Sequence, residues 1–424
     1  MKKEILKTEV VIIGAGPGGS SSAIFLAQKG IDAIIIEKDQ FPRFHIGESM
    51  TGECGETVRK MGLGEAIKDI RCTIKHKTIV YGREGKNSFT IPVMRRNEAG
   101  ELEKSTTWQV RRGDFDKMLL DKVQEVGVPL VYGKAMKVLF KEDGSPCGVE
   151  VRREDGTMVD VVGEIVLDAS GPAAFLSAAG VAGKKERGKY SRQIAIYSHV
   201  KNAKRDEIDS TLIFYEKDNH WGWFIPIDEE TVSIGVVTPS DYYRESGEEM
   251  RDFYMREMQK ISPELTKRIP DVSLVEDVRA ASNYSYHIHQ FTGKGFLCIG
   301  DAHRFIDPIF SFGLQFALVE GRMAADTIAG YLHDGVGQDQ ENPFAEFGRT
   351  CELGMDTIQD ALDCFWGNPF SFAFFVHSRY VDDFIDIFAG RVYQDDPSPG
   401  LQAVRKVNAK IREEKAAANM PVTA

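Results

Sequence analysis

Near the start of the chain, two short apolar runs flank a stretch with helical spacing. Residues 9–13 form an apolar run that ends in glycines, which is typical of a buried strand. Residues 20–29 have the spacing of a helix and stop at Gly30, a residue type that commonly ends helices. Residues 33–36 form a second apolar run, which ends in Glu37. Strand, helix and strand in this order predict a βαβ unit.

The middle of the chain is dominated by strand-like patterns. Residues 73–166 carry short apolar runs separated by Gly and Asn, interrupted by one helical stretch at 114–124. Residues 187–237 alternate between apolar and polar positions, which predicts an antiparallel sheet. Residues 296–299 predict another buried strand, and a long helix is predicted at 313–329. After residue 336 many aromatic residues occur at helical spacings, which predicts a helical segment whose rings mostly pack in a core.

Composition and charge restrict the possible classes of function. Hydrophobic residues make up 42% and charged residues 28% of the 424 residues, as in ordinary soluble enzymes. The formal net charge of −11 argues against a nucleic-acid binder, because phosphate binding needs a basic surface. No apolar stretch reaches the roughly 18 residues of a membrane span. The scattered cysteines and a start without a signal peptide predict a cytoplasmic protein with reduced thiols, and we predict no metal site.

The loop after the first strand carries a nucleotide-binding fingerprint. Residues 14–19 read GAGPGG and contain the pattern GxGxxG between the predicted strand and helix. Gly14 allows a tight turn, Gly16 lets the backbone approach a pyrophosphate, and Gly19 lets the helix pack against the strand. Glu37, at the end of the second strand, is placed to accept hydrogen bonds from ribose hydroxyls. This motif alone fits either NAD or FAD.

Two further segments decide between these cofactors. Residues 166–171 (VLDASG) predict a strand that ends in a tight turn, and residues 296–302 (FLCIGDA) place Asp301 where a helix follows a strand. With the glycine loop, they resemble the three FAD motifs of the class A flavoprotein monooxygenases, which have the p-hydroxybenzoate hydroxylase-like (GR2) fold. The resemblance implies FAD as the cofactor and a role for Asp301 in holding its ribityl chain.

Three more segments narrow the resemblance. Residues 41–49 read FPRFHIGES, residues 221–226 fit the pattern WxWxIP, and residues 305–313 fit FxxPxxSxG. Together they resemble the flavin-dependent halogenases of secondary metabolism, most closely the short pyrrole and phenol type. The resemblance covers residues 8–395.

The resemblance implies a two-component, FADH2-dependent halogenase that receives reduced FAD from a separate flavin reductase. In that family, reduced flavin and O2 form a hydroperoxide, and bound chloride or bromide attacks it to give hypohalous acid. The backbone N–H groups of Ser311, Phe312 and Gly313, at a predicted helix start, form the implied halide site. The acid then halogenates an electron-rich phenol or pyrrole, which is either free or tethered to an acyl carrier protein.

The same resemblance points to a lysine and to two tryptophans. Counted from the GES segment, the family's catalytic lysine falls on Lys75, and Lys77 is the reserve candidate because it is predicted to share the same strand face. A buried ammonium would hydrogen-bond hypohalous acid or form a haloamine with it. Trp221 and Trp223 share a predicted strand face, and we interpret them, with Pro308, as structural supports near the flavin.

The predicted fold is α/β (α+β), with a Rossmann-type FAD-binding domain, an antiparallel-sheet substrate domain and a helical C-terminal segment. The FAD-binding domain is predicted to be discontinuous, at 1–75, 105–185 and 275–335. The substrate domain is predicted at 76–104 and 186–274, and the helical segment at 336–424. The predicted cofactor-binding residues are Gly14, Gly16, Pro17, Gly19, Glu37, Lys38, Arg43, Ser49, Arg111, Asp301 and Gly313.

Other classes of function remain open at this point. FAD-dependent monooxygenases and dehydrogenases of the same fold take electrons directly from NAD(P)H, but WxWxIP and FxxPxxSxG favour halogenation. A flavin-binding protein without turnover is disfavoured, because every FAD motif is intact. The acidic overall charge argues against an acidic carrier protein as partner, whereas the basic segments 184–192 and 405–415 offer a local docking charge.

Overall fold

The structure is a computed structural model that describes residues 3–217, 219–282 and 284–418. Within these ranges the strands are β1 (Glu4–Lys7), β2 (Val10–Ile13), β3 (Ala33–Glu37), β4 (Cys72–Lys75), β5 (Lys77–Tyr81), β6 (Phe89–Pro92), β7 (Met94–Arg96), β8 (Leu102–Lys104), β9 (Thr107–Val110), β10 (Leu130–Tyr132), β11 (Lys134–Phe140), β12 (Pro146–Arg152), β13 (Met158–Val162), β14 (Ile165–Asp168), β15 (Glu186–Arg187), β16 (Gln193–Lys201), β17 (Ser210–Lys217), β18 (His220–Pro226), β19 (Val232–Pro239), β20 (Ser273–Leu274), β21 (Arg279–Ser282), β22 (Tyr286–His287), β23 (Thr292–Gly293), β24 (Phe296–Cys298) and β25 (Arg304–Phe305). The α-helices are α1 (Pro17–Gln28), α2 (Gly52–Lys60), α3 (Arg112–Glu125), α4 (Phe175–Ala178), α5 (Ser240–Ser246), α6 (Met250–Lys260), α7 (Pro263–Thr266), α8 (Gly313–Asp334), α9 (Ala345–Gly367), α10 (Pro369–Phe374), α11 (Val381–Ala389) and α12 (Pro399–Ala418).

The nucleotide-binding sheet has the strand order β10-β3-β2-β14-β24-β23 and is parallel except for the edge strand β23. Strands β2, β3 and β14 are buried along their whole length. They are continuous apolar runs because both faces of a parallel sheet are covered. The predicted βαβ unit is confirmed, and α1 begins at Pro17 rather than at residue 20. Proline suits the first helical position, because the N–H it lacks has no partner there.

A second, larger sheet has the order β20-β16-β19-β18-β17-β5-β6, with β21 beside β16. The predicted antiparallel arrangement is confirmed except between β17 and β5, which are parallel. Strands β16, β18 and β19 are buried on both faces rather than alternating. Phe253 and Tyr254 of α6 pack on one face, and Trp221 and Trp223 face a core shared with the C-terminal helices on the other.

The C-terminal segment is mainly helical, as predicted, with loops such as 335–344 before α9 and 390–398 before α12, and the predicted residues 419–424 lie outside the described residues. Phe365, Phe372 and Phe384 of this segment are buried in the core that covers the inner face of the large sheet. In the described ranges, we find no helix that combines the length and apolar character needed to cross a membrane.

One predicted domain boundary differs from the structure. The sequence placed residues 275–335 in the FAD-binding domain, but β21 is hydrogen-bonded to β16 through the pairs Ile194–Ser282 to Tyr197–Arg279. The backbone therefore stays in the large sheet until Ser282 and returns to the nucleotide-binding sheet at β23 and β24. A strand of four residues with little apolar character carries no strong sequence signal, which is why it was missed.

Candidate active site

A cavity of about 1280 Å³ runs from the glycine loop to the inner face of the large sheet. All three segments of the FAD resemblance and all three of the halogenase resemblance contribute to its wall. Typical ligand pockets occupy roughly 300–1,000 Å³. The cavity therefore has room for a dinucleotide and a further small group beside it.

The glycine loop follows β2 and leads into α1, and it has no space for a side chain at Gly14 or at Gly19. Gly14 has a φ of +101°, and a Cβ there would lie 2.6 Å from the carbonyl oxygen of Ala169. A Cβ on Gly19 would lie 1.9 Å from the carbonyl oxygen of Gly14, so α1 packs directly on the loop. Gly16 and Pro17 line the cavity at the N-terminus of α1. The loop thus presents bare backbone and a helix N-terminus, as a pyrophosphate requires.

Glu37 ends β3 and lines the same end of the cavity. Its carboxylate accepts hydrogen bonds from the backbone N–H groups of Ala15, at 2.7 Å, and Asp39, at 2.8 Å. These two bonds fix the carboxylate next to the glycine loop, where it can face a ribose. Lys38 also lines the cavity, but its ammonium is paired with Asp39 at an exposed position.

Arg112, and not the predicted Arg111, is the arginine of the 110–116 segment that lines the cavity. Arg111 is directed towards the large sheet, where it lies 3.4 Å from Glu276. Arg112 is 5% exposed and lines the cavity. Its guanidinium pairs with both carboxylate oxygens of Asp116, at 2.7 and 3.0 Å. Because helix α3 begins at Arg112, adjacent side chains point in different directions, and the motif alone could not decide between the two.

Arg112 also holds the FPRFHIGES segment in place. Its Nη1 donates to the carbonyl oxygens of Ile46, at 2.8 Å, and Gly47, at 3.2 Å. Arg43, predicted as a cofactor residue, lines the cavity too and lies 3.3 Å from Asp116. One buried carboxylate thus orients two guanidinium groups at the cavity wall.

The second and third FAD motifs form adjacent strand ends. Asp168 ends β14, and its carboxylate accepts from the backbone N–H groups of Ser170, at 2.9 Å, and Leu176, at 2.7 Å. Asp301 follows β24, the neighbouring strand, and lines the cavity. Burial raises the pKa of Asp301 to about 7. A polar partner such as a ribityl hydroxyl would satisfy this carboxyl group.

The FxxPxxSxG segment forms a tight turn before α8. Asp307 accepts a hydrogen bond from the backbone N–H of Ile309 at 3.0 Å, and Ser311 has a left-handed φ of 60°. This turn directs the N-terminus of α8, which begins at Gly313, towards the large cavity. Pro308, Ser311, Phe312 and Gly313 all line that cavity. The Phe312 ring is 3% exposed and packs 5.7 Å from the ring of Phe316.

Lys75 is buried behind this turn. Its side chain is 5% exposed, and Nζ donates to Ser49 Oγ at 2.9 Å and to the carbonyl oxygen of Met50 at 3.1 Å. Burial lowers the pKa of Lys75 to about 7. Lys75 lines a second, small cavity of about 30 Å³ together with Ser311 and Ile213, and these two residues also line the large cavity. Ser311 and Ile213 therefore form the partition between the lysine and the large cavity.

The structure does not bring Lys77 to this site, and the predicted shared strand face is wrong. Strand β4 ends at Lys75 and pairs with β9, whereas β5 begins at Lys77 and pairs with β17 of the large sheet. The chain changes sheet at His76, so the alternation of side chains does not continue across it. The ammonium of Lys77 lies 2.9 Å from Glu207, with a side chain that is 32% exposed.

Trp221 and Trp223 lie side by side on β18 and both line the large cavity, as their spacing predicted. Their ring centroids are 5.7 Å apart. Trp223 donates from Nε1 to Ser233 Oγ at 3.0 Å, and its ring fills the space above Gly235. These contacts fit a structural role in the wall between the cavity and the helical segment.

Two buried polar networks at the cavity wall have no separate signal in the sequence. In one, Ser49 and Thr211 connect Lys75 to Gln109. In the other, His199 bridges Glu48, at 2.5 Å, and Glu276, at 2.7 Å. Although burial alone would lower the pKa of His199, its two carboxylate partners raise it. Glu48 lies in the GES segment, but its partner is brought close only by the fold.

The residues present fit FAD. A glycine-rich loop at a helix N-terminus, an ordered carboxylate on the first βαβ unit and a buried carboxyl group at the third motif lie along one cavity. In the described part of the chain, no group of three or more His, Cys, Asp or Glu side chains is arranged to hold a metal ion.

Comparison with known proteins agrees with this geometry. The family model for the FAD binding domain matches residues 7–338. The chain is 39% identical over 374 residues to a 1H-pyrrole-2-carbonyl peptidyl-carrier-protein brominase of Pseudoalteromonas luteoviolacea strain 2ta16, covering 88% of each protein. It is 28% identical over 430 residues to the corresponding chlorinase of Pseudomonas fluorescens Pf-5, covering 96% of this chain and 94% of that protein. The solved structure of the flavin-dependent brominase Bmp2 matches with a TM-score of 0.87 and 37% identity, over 97% of this chain and 100% of that one.

Proposed function

Since the chain belongs to the FAD-binding domain family and to the flavin-dependent halogenases, we propose that its substrate is a pyrrole-2-carbonyl group tethered to a carrier protein. The chain is an FAD-dependent enzyme that halogenates its substrate. The predicted p-hydroxybenzoate hydroxylase-like fold and the predicted halogenase family are confirmed.

The roles proposed for the residues rest on the partition formed by Ser311 and Ile213. Both residues line the large cavity and also the small cavity that Lys75 lines. A small cavity of about 30 Å³ has room for one water-sized group. A hypohalous acid molecule that passes Ser311 would therefore arrive directly at the amine.

The halide is held at the N-terminus of α8. Ser311, Phe312 and Gly313 line the large cavity there, but the Ser311 N–H already donates to the carbonyl oxygen of Pro308 at 2.9 Å. The first N–H groups of a helix have no partner within the helix, so the N–H groups of Phe312 and Gly313 are the proposed donors. These donors and the positive end of the helix dipole favour an anion. Reduced FAD, O2 and this halide together supply hypohalous acid when the cofactor is bound.

Lys75 then holds the hypohalous acid for transfer. Two N–H bonds of its amine are directed to Ser49 and Met50, so the third tetrahedral position faces the small cavity. At neutral pH both the ammonium and the amine are populated, because burial lowers the pKa to about 7. The ammonium donates a hydrogen bond to hypohalous acid from this position, and the amine presents a lone pair there.

The electrons come from a separate flavin reductase, and the reduced cofactor reaches the enzyme by diffusion. All six cysteines carry free thiols, which suits a reducing cytoplasm.

The proposed pyrrole substrate and its carrier-protein tether are supported by the two carrier-dependent relatives. Lys185 and Arg187, from the predicted basic segment 184–192, line the cavity together with Glu186, and the net positive charge of this wall would attract an acidic carrier protein.

The substrate assignment is tested by offering three acceptors to the same reaction. The enzyme, FAD, a flavin reductase, NADH, O2 and bromide are combined with a pyrrole-2-carbonyl carrier protein, with free pyrrole-2-carboxylic acid or with a simple phenol. We expect bromination of the carrier-bound pyrrole to exceed that of the free acid by at least about tenfold. Equal rates on both pyrroles would contradict the tether, and conversion of the phenol alone would contradict the pyrrole.

A further inference from the structure

A buried chain of hydrogen bonds leads from Lys75 through three side chains to the backbone. Lys75 Nζ lies 2.9 Å from Ser49 Oγ, which lies 2.7 Å from Thr211 Oγ1. Thr211 Oγ1 lies 2.7 Å from Gln109 Oε1, and Gln109 Nε2 lies 3.0 Å from the carbonyl oxygen of Pro226. Ser49, Thr211 and Gln109 are 3%, 1% and 0% exposed, although Ser49 and Thr211 also line the large cavity.

The donors and acceptors of this chain have one consistent direction. The carbonyl of Pro226 only accepts, so the Gln109 amide must turn its nitrogen to Pro226 and its oxygen to Thr211. The single hydroxyl proton of Thr211 is therefore donated to Gln109, and Thr211 must accept from Ser49. The hydroxyl of Ser49 thus has no proton left for Lys75 and acts towards the amine only as an acceptor.

This direction decides where the lone pair of the neutral amine points. Both N–H bonds of the amine are needed, one for Ser49 Oγ and one for the carbonyl oxygen of Met50. The lone pair is then left at the third position, towards the small cavity and Ser311. If Ser49 could donate, its hydroxyl proton would bind this lone pair instead and turn it away from the cavity.

We propose that Thr211 and Gln109 are positioning residues that force Ser49 to accept from Lys75, and thereby keep the amine lone pair directed into the small cavity. The inference rests on the proposed role of Lys75 in halogen transfer. Neither residue needs to touch substrate, because both act through Ser49.

The groups that surround the amine of Lys75 are uncharged near neutral pH. The group that faces the amine from α2 is the thiol of Cys54, and burial raises its pKa to about 12, so it stays neutral. Met50, Ser49 and Ser311 supply only uncharged contacts. A change in the titration of Lys75 after a substitution at Thr211 or Gln109 therefore reports on the hydrogen-bond chain.

The test compares Thr211→Val, which removes the hydroxyl at nearly constant shape, with Thr211→Ser, which keeps it. Titration of the lysine side chains by NMR, with Lys75→Met to assign the signal, reports the pKa without turnover. We expect the titration midpoint of Lys75 to fall by about half a pH unit or more in Thr211→Val, because a hydrogen bond donated to the amine stabilises its neutral form. Thr211→Ser is expected to titrate as the wild type does.

The same variants are then assayed as holoenzymes with a flavin reductase and bromide. We expect at least about tenfold less brominated substrate in Thr211→Val, with hypobromous acid escaping to a chemical trap, and recovery in Thr211→Ser. Gln109→Met, which removes the acceptor of Thr211, serves as the second variant if Thr211→Val does not fold.

Wild-type titration and wild-type product yield in a folded Thr211→Val variant would overturn the proposal. If Lys75→Met itself still halogenates, the role of Lys75 fails, while the NMR titration still decides whether the hydrogen-bond chain has the inferred direction. The two failures are therefore distinguishable.

Discussion

Lys75 and Ser311 share the wall of one cavity of about 30 Å³, and Ser311 also lines the large cavity that begins at the glycine loop. Ile213 also lines both cavities, so Ser311 and Ile213 lie between the lysine and the large cavity. In the proposed mechanism, this arrangement would separate the place where the oxidant forms from the place where it is used.

Substitution of the two candidate lysines should separate their roles. We expect Lys75→Met to bind FAD as the wild type does but to lose at least about a hundredfold of halogenation, because the amine at the small cavity is gone. Lys77→Met is the matched control, since Lys77 makes a partly exposed ion pair with Glu207. Product yields and FAD titrations of both variants check this, and full activity in Lys75→Met would remove the lysine from the mechanism.

Lys75→Met and Lys77→Met should also differ in how the free energy of unfolding depends on pH. The pKa of Lys75 is about 7 in the folded protein and near 10.5 in an unfolded chain, so between these values unfolding takes up a proton. Buried Lys75 should therefore lower the free energy of unfolding by the full amount below pH 7. This penalty should become smaller as the pH rises towards 10.5. Each pH unit between the folded and unfolded pKa values corresponds to about 1.4 kcal/mol, so the penalty amounts to several kcal/mol.

We accordingly expect the stability of Lys75→Met relative to the wild type to be greatest near about pH 6 and to shrink by about pH 9. Denaturant unfolding at both pH values measures the difference. Lys77→Met should show no such trend, because the ion pair with Glu207 raises the pKa of Lys77 above this window. A pH-independent difference for Lys75→Met would mean that the buried amine is not titrating as inferred.

The halide site can be tested at Gly313. A Cβ at this position would meet no protein atom within 4 Å, and the backbone has ordinary helical geometry there. Gly313→Ala and Gly313→Val should therefore fold normally while placing progressively more bulk beside the first N–H groups of α8. We expect the KM for bromide to rise by about tenfold or more in the valine variant. An unchanged bromide dependence would place the halide elsewhere.

Substitution of the neighbouring residues Arg112 and Arg111 should have different effects on the affinity for FAD. Arg112→Lys keeps the charge but loses the forked pairing with Asp116 and the support of the Ile46 and Gly47 carbonyls. We expect FAD to bind about tenfold more weakly, and the protein to lose about 1–3 kcal/mol of stability. Arg111→Lys should leave FAD affinity unchanged, because Arg111 pairs with Glu276 away from the cavity. Flavin fluorescence titration compares the two.

Many residues of this site can be predicted from sequence motifs, because local backbone geometry requires particular residues at particular spacings. The close contact at Gly14 and the strand-end positions of Glu37 and Asp301 depend on short segments whose patterns are visible in the chain. The spacing of Trp221 and Trp223 likewise fixes them on one face of a strand. These were predictable without the structure.

Other features depend on where the chain changes direction or sheet, and local patterns do not contain that information. Lys77 was expected beside Lys75, but the strand breaks at His76 and sends the two lysines to different sheets. The partners Thr211 and Gln109 come from distant strands that meet only in the folded protein. Their connection to Lys75 through Ser49 could not have been inferred from spacing.

The most direct test of the central claim is product analysis by mass spectrometry with bromide present and with bromide absent. The enzyme is supplied with FAD, a separate flavin reductase, NADH, O2 and the carrier-bound pyrrole. We predict a product with the isotope pattern of bromine only when bromide is present, and none when Lys75→Met replaces the wild type. Oxygen insertion into the substrate, or oxidation of NADH without the reductase, would contradict halogenation and favour a monooxygenase or dehydrogenase of the same fold.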